Sequence, residues 1–207
     1  MKGRPYRIPL FPLEVVLFPG AALPLHIFEE RYKTMIGLCM DRSLEFGVIL
    51  AKDNGIASVG CTSQIVQKLK QYEDGRMDIL SQGRAIFQLT EFLDEKEYHE
   101  AIVEYLPEDP VAQDPGEEKQ LLDLFHQCHV ALFGNAWVNE SSTEIPLAYR
   151  IAALLPLALE EKQALLEMRE EERRRNFLFN RMTTLLPQIV HRQRVRKSAA
   201  GNGHGLN

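Results

Sequence analysis

The stretch from Ile8 to Glu30, I-P-L-F-P-L-E-V-V-L-F-P-G-A-A-L-P-L-H-I-F-E-E, limits what this chain can fold into more than any other segment. Pro9, Pro12, Pro19 and Pro24 interrupt its short apolar runs. Each proline lacks a backbone donor and pushes the preceding residue toward extended geometry, so this hydrophobicity is not that of a helix. Broken strand remains. Glu14 to Phe18 is expected to pair as a strand closed by a Pro19-Gly20 turn, and Leu23 to Ile27 to form a second extended piece.

A helix is predicted from about Phe28 to Met40, where Phe28, Tyr32, Met35, Ile36 and Cys39 recur at helical spacing. Phe46 to Ala51 reads as a buried strand bounded by Asp53-Asn54-Gly55. Ile65 to Gln71 and Arg76 to Leu80 flank Glu73-Asp74-Gly75 as a hairpin. Ala85 to Thr90 alternates, and Tyr98 to Leu106 is a last extended run. Five to seven strands with one early helix suit a partly closed β-barrel.

The segment Pro107 to Gly116 holds three prolines and three acids and reads as a boundary. Helical periods follow. Leu121, Phe125, Cys128 and Leu132 share a stripe opened by Asp114 and Pro115. A helix from Pro146 to Leu155 is expected to be capped by Ser141-Ser142-Thr143, with a third over Leu159 to Met168. A fourth carries Phe177, Leu178, Met182, Leu185 and Ile189, and Pro187 should kink or stop it. The fold class is therefore α+β: a β-barrel subdomain over 1–110, an α-helical bundle over 111–197, and a disordered tail over 198–207.

The segment Pro12-Leu13-Glu14-Val15-Val16-Leu17-Phe18-Pro19-Gly20 leading to Pro24-Leu25 resembles the opening of the Lon protease N-terminal domain. Val59-Gly60-Cys61-Thr62, Ile65-Val66-Gln67, Asp74-Gly75 and Ile79 to Ala85 follow in that domain's order, and Leu159 to Glu167 is similar to its helical part. The resemblance spans about Ile8 to Ile189. It implies a PUA-like barrel and a substrate-engaging role for unfolded or tagged polypeptides, with a separate ATP-dependent protease as a further partner.

The Lon ATPase and peptidase are not expected here. No G-x-x-x-x-G-K-[ST] loop is present to cradle phosphates, and no serine sits in a G-x-S-x-G turn. The chain reads as a non-catalytic binding module, an adaptor or chaperone-like binder, with no cofactor and no metal. Cys39, Cys61 and Cys128 are odd in number and far apart, so reduced buried thiols in a cytoplasmic protein are expected. Asp123, His126 and His129 could share a helix face, but solvated histidines are the expected state. His26 fits an alternating strand, and the run from Arg169 to Arg175 an ion-paired helix face. No apolar run approaches the length that crosses a bilayer.

Two functions follow. In the first, a polypeptide client meets Phe28, Glu29, Glu30, Arg31 and Tyr32, where Leu23 to Ile27 feeds the first helix. The competing expectation is that Phe28 and Tyr32 pack inward, as stripes at helical spacing do. The second is RNA binding through the PUA-like barrel and the basic end Arg192 to Lys197. A net charge of -5 weighs against it, because nucleic-acid binders carry a basic excess.

Overall fold

The computed structural model describes residues 6–52, 55–107, 115–137 and 144–201, with side chains left aside at 115 and 196–201. Six strands are present: β1 Arg7–Leu13, β2 Ala22–Ile27, β3 Phe46–Lys52, β4 Gly55–Gln71, β5 Met77–Leu93 and β6 Glu100–Tyr105. Helix α1 spans Glu30–Arg42, α2 Pro115–Phe133, α3 Leu147–Leu154, α4 Leu159–Glu167 and α5 Glu171–Gly201. They form two compact units, one holding the sheet with α1, α3 and α4, the other α2 and α5.

The sheet runs β2-β5-β4-β3-β1-β6, and a further β5–β6 pairing turns β5-β4-β3-β1-β6 into a ring. β5 makes this closure possible by its length. Its first half pairs with β2 and its second half with β6, while β4 runs along its other side. β1 lies parallel to β3 and antiparallel to β6.

The first strand is Arg7–Leu13, not the expected Glu14 to Phe18. Two of the four prolines thus lie inside a strand partnered on both sides. Backbone donors along a strand alternate between its two sides, and Leu10 N–H donates toward β6, to His99 O at 2.8 Å. Pro12 therefore turns its nitrogen to the β6 side, past the end of the β6 ladder at Pro9. Pro9 turns its nitrogen toward β3, one residue before that ladder starts at Leu10. Neither missing donor falls where a partner strand needs one.

The long strands β4 and β5 run through glycines without a break. Gly60 lies opposite Phe87, whose ring occupies the space a side chain would need, with its Cζ 2.5 Å from an ideal Cβ. At Gly83 the Phe18 carbonyl comes within 2.2 Å of that position. Ile8, Leu10, Ile49, Phe87, Ala101 and Val103 form one core cluster. A second joins Phe11, Tyr32, Met35, Ile36, Cys39, Phe46 and Ile79 under α1. Fully burying each large apolar side chain contributes about 1.5–3 kcal/mol, so the α1 stripe alone fixes that helix on the sheet.

Helices α3 and α4 belong with the sheet, although their periodicity placed them among the other helices. Tyr149 of α3 stacks on Phe18 at 5.6 Å, and the Gln163 amide of α4 donates to Val59 O at 3.0 Å. A helical period shows that a helix has an apolar face, not which layer will cover it. In the second unit, Leu121, Phe125 and Cys128 of α2 are buried, as are Leu178, Met182, Leu185 and Ile189 of α5. Arg174 is buried with its guanidinium on Glu171 at 2.9 Å, and Arg175 bridges Glu171 and Glu118.

Pro187 does not stop α5, and Ser198 to Gly201 continue the helix where a disordered tail was expected. Leu185 and Ile189, buried on either side of the proline, hold both halves in place while one backbone hydrogen bond is forgone. Residues 202–207, Asp53-Asn54, Asp114 and the Ser141-Ser142-Thr143 cap lie outside the described residues.

Candidate functional site

Phe28 is 59% exposed and precedes α1 instead of opening it. Glu29 is the N-cap, in extended geometry (φ -75°, ψ 137°), so the helical period cannot begin before it. Pro24, His26 and Phe28 instead obey the alternation of β2 and share its exposed side. Tyr32 goes the other way. Its ring is buried on Phe11 with centroids 4.1 Å apart, and burial pushes its hydroxyl pKa upward.

Phe28 stacks on His26, with centroids 6.0 Å apart and rings 24° from parallel. His26 in turn meets Tyr72 edge-on at 5.9 Å. Asp78 lies beneath both. Its carboxylate takes His26 Nδ1 at 2.6 Å and the Tyr72 hydroxyl at 2.9 Å. These bonds, with that to His26 the larger, hold Asp78 below the ordinary carboxylate range. Asp78 is therefore an acceptor, so the proton between it and His26 sits on Nδ1. Lys70 Nζ and Arg76 Cζ stand 4.3 Å and 5.1 Å from the Tyr72 ring centroid. The result is an aromatic row, exposed at Phe28 and His26 and half-buried at Tyr72, whose members are oriented by one another, a surface fit to take apolar side chains.

The charged residues at the start of α1 are engaged locally. Arg31 donates to Glu29 at 2.9 Å and lies 4.6 Å over the Tyr32 ring. Lys33 binds Glu30 at 2.7 Å and reaches Asp74 O at 3.0 Å, tying the helix to the β4–β5 turn. Of the five predicted residues, Phe28, Glu29, Glu30 and Arg31 thus gather at one surface and Tyr32 supports it from below. His26 was read only as a strand residue, and its grouping with Tyr72 and Asp78 escaped the sequence reading because they meet through sheet register, His26 opposite Asp78. The alternation of β2 carried forward to Phe28 was the available signal.

Residues 7–184 match the family described as the ATP-dependent protease La (LON) substrate-binding domain. The chain belongs to this family. Lon protease of Escherichia coli strain K12 is 26% identical over 91% of this chain, and that of Trichlorobacter lovleyi 30% over 82%. The chain spans about a quarter of the length of these relatives, 26% and 23%. A Lon N-terminal domain protein from Xanthomonas campestris superposes with a TM-score of 0.67 at 25% identity, covering 84% of this chain and 97% of that one. The N-terminal domain of Mycobacterium avium complex Lon protease, at 14% identity and a TM-score of 0.63, shares the fold.

In this Lon-type domain the remaining groups able to carry acid–base or nucleophilic chemistry lie apart from the aromatic row. Ser81 is buried and donates to Leu23 O at 3.1 Å. His99 lies on Phe92 and 3.2 Å from Asp94. His126 is exposed, while His129 is buried, against the expectation of two solvated rings, because Phe125 and Phe133 enclose it and Asn135 O takes its Nδ1 at 3.0 Å. Among the described residues no three His, Cys, Asp or Glu side chains converge as metal ligands. Burial pushes the Cys39 thiol up to about 12 and raises that of Cys128, so neither is a thiolate at neutral pH. Arg192 and Arg194 are exposed on α5. Among the described residues no helix is long and apolar enough to cross a membrane.

Proposed function

We propose that this Lon-type domain is a non-catalytic polypeptide-binding module that engages apolar segments of unfolded or tagged proteins and presents them to an ATP-dependent protease as an adaptor. Its contact surface is the aromatic row of Phe28, His26 and Tyr72, flanked by Glu29, Glu30 and Arg31, with Tyr32 buried on Phe11 beneath Arg31. The exposed Phe28 ring carries this reading. An aromatic side chain left 59% accessible at the junction of strand and helix, and oriented by His26, offers apolar area at little entropic cost on binding.

Membership of a substrate-binding family supports the reading. Engagement of this kind needs shape and exposed apolar surface and no reacting group, in keeping with the dispersed serine and histidines. Titrating the purified protein with an unfolded, fluorescently labelled casein tests it. Binding at micromolar concentration, weakened by Phe28→Ala and by Phe28→Ala with Glu30→Lys, is expected. Absence of binding at high micromolar protein, or indifference to both substitutions, removes the surface assignment. The same samples, with ATP and magnesium, should show neither casein cleavage nor phosphate release.

A further inference from the structure

The three rings of the aromatic row offer a client apolar faces and few polar atoms. Phe28 has none. The Tyr72 hydroxyl proton and the His26 Nδ1 proton both go to Asp78, at 2.9 Å and 2.6 Å, so with His26 neutral the three rings keep no N–H or O–H to donate. His26 Nε2 remains. The two nitrogens of an imidazole face in different directions, so a ring held by Nδ1 leaves Nε2 to another partner. Among the described residues Nε2 has no hydrogen-bond partner, and the side chain is 44% exposed.

Asp78 decides what that nitrogen is. Its carboxylate, held below the ordinary range first by the bond to His26, stays an acceptor, which places the proton of a neutral His26 on Nδ1 and a lone pair on Nε2. A second proton would turn Nε2 from acceptor to donor. The groups around the ring are Asp78 of β5, the Tyr72 hydroxyl, Lys70 of β4 and, in the turn, Arg76, which pairs with Asp74 at 2.7 Å. Beyond Phe28, at the start of α1, Glu29 pairs with Arg31 and Glu30 with Lys33. Of these side-chain types only histidine changes charge between about pH 5 and 8.

We propose that His26 sets client specificity as a hydrogen-bond acceptor, its Nε2 taking the indole N–H of a tryptophan side chain laid on the row, and that Asp78 is the positioning residue that holds the ring's proton at Nδ1. Indole matches the row on both counts. It is apolar over most of its area and its one polar atom is a donor only, whereas phenylalanine has no donor and tyrosine brings an oxygen that the three rings have no donor to meet. Lysine and arginine donate, but they carry charge of the same sign as Lys70 and Arg76. This rests on the polypeptide-binding reading and names the client group that its surface selects. Tryptophan capture is strongest in mildly alkaline solution and weakens as pH falls and Nε2 takes a proton.

The test titrates the intact chain, at about pH 8 and about pH 5.5, with two labelled nonapeptides alike except for a central tryptophan or its isostere benzothienylalanine, in which sulfur replaces the N–H. In the alkaline buffer the tryptophan peptide is expected to bind about three- to tenfold tighter, the contribution of one neutral hydrogen bond, and in the acid buffer the two should bind alike. His26→Phe, which keeps a ring at the position, should equalise the peptides in both buffers. Nitrogen-15 NMR of the imidazole that is missing from His26→Phe should show the neutral ring protonated on Nδ1. In Asp78→Ala, any shift of that proton toward Nε2 should shrink the tryptophan preference in step. Equal binding in the alkaline buffer, a preference that survives acid or His26→Phe, a neutral ring protonated on Nε2 in the unaltered chain, or no peptide binding overturns the assignment. Casein binding that still depends on Phe28 would then leave the proposed function standing, and loss of that dependence as well would end both.

Discussion

Gly60 of β4 lies directly across the ladder from Phe87 of β5, and the Phe87 ring fills the place of the side chain Gly60 lacks. The pair is one packing unit, so its members should not be replaceable one at a time. A Cβ at Gly60 would also meet Val48 O at 2.6 Å, a backbone atom that cannot swing away. Gly60→Ala should therefore cost about 1–3 kcal/mol of stability. Adding Phe87→Leu, which removes the ring tip, should give a double variant less destabilised than the sum of the two singles, as urea unfolding would read it. Strict additivity would mean that the ring does not set the limit.

Glu100 joins Arg7 and Lys96 at 2.7 Å and 2.9 Å with its own side chain 8% exposed. Burial pushes its pKa up, but hydrogen bonds from Arg7 and Lys96 outweigh this and hold it below the ordinary carboxylate value. A depressed folded-state pKa contributes stability above the unfolded value of about 4.3 and loses it as pH falls through the folded value. Glu100→Gln should thus cost about 1–2 kcal/mol at pH 7, discounted because both cations are half exposed. It should also flatten the acid limb of a melting-temperature profile below about pH 4.3. An acid limb unchanged by the substitution would place the acid sensitivity elsewhere.

Phe28 and Tyr32 separate binding from folding. Phe28→Ala should leave stability within about 0.5 kcal/mol while weakening casein binding. Tyr32→Ala, which removes the ring stacked on Phe11, should cost about 3 kcal/mol or more. Chemical denaturation of both variants beside the binding titration distinguishes them, and a large stability loss from Phe28→Ala would contradict its exposed position.

Pro187 interrupts the hydrogen-bond ladder of α5 without ending the helix. Pro187→Ala restores the donor and removes the ring's conflict with the preceding turn, so the unit of α2 and α5 should gain about 1–3 kcal/mol. Amide exchange along α5 would show it as slowed opening around residues 183–191. No change there would mean that this segment opens only with the whole unit.

Much of the fold was legible because local signals agreed with the tertiary answer. The stripe of Tyr32, Met35, Ile36 and Cys39 gave α1, and Glu73-Asp74-Gly75 gave the β4–β5 turn. Phe28 misled because its spacing from Tyr32 is helical while its neighbours Pro24 and His26 follow the period of a strand, and only the N-cap geometry decides between them. Pro9 and Pro12 hid β1, since strand prolines are judged by which partner strand faces each nitrogen, and that is a property of register. His26, Tyr72 and Asp78 come together by the same route. Pairings between residues 52 apart leave no trace in a window of a few residues.

The ring also has an order in time. β1 is made first, yet β3 ends at Lys52 and β6 at Tyr105. At roughly 5–20 residues per second of synthesis, one flank of β1 stays without its β6 partner for about 5–20 s after Leu13 is joined. A bare hydrophobic strand waiting that long is an invitation to neighbouring nascent chains. Pro9 and Pro12, each harmless in the finished ring, spoil both sides of the strand for any other partner until the right one has been made.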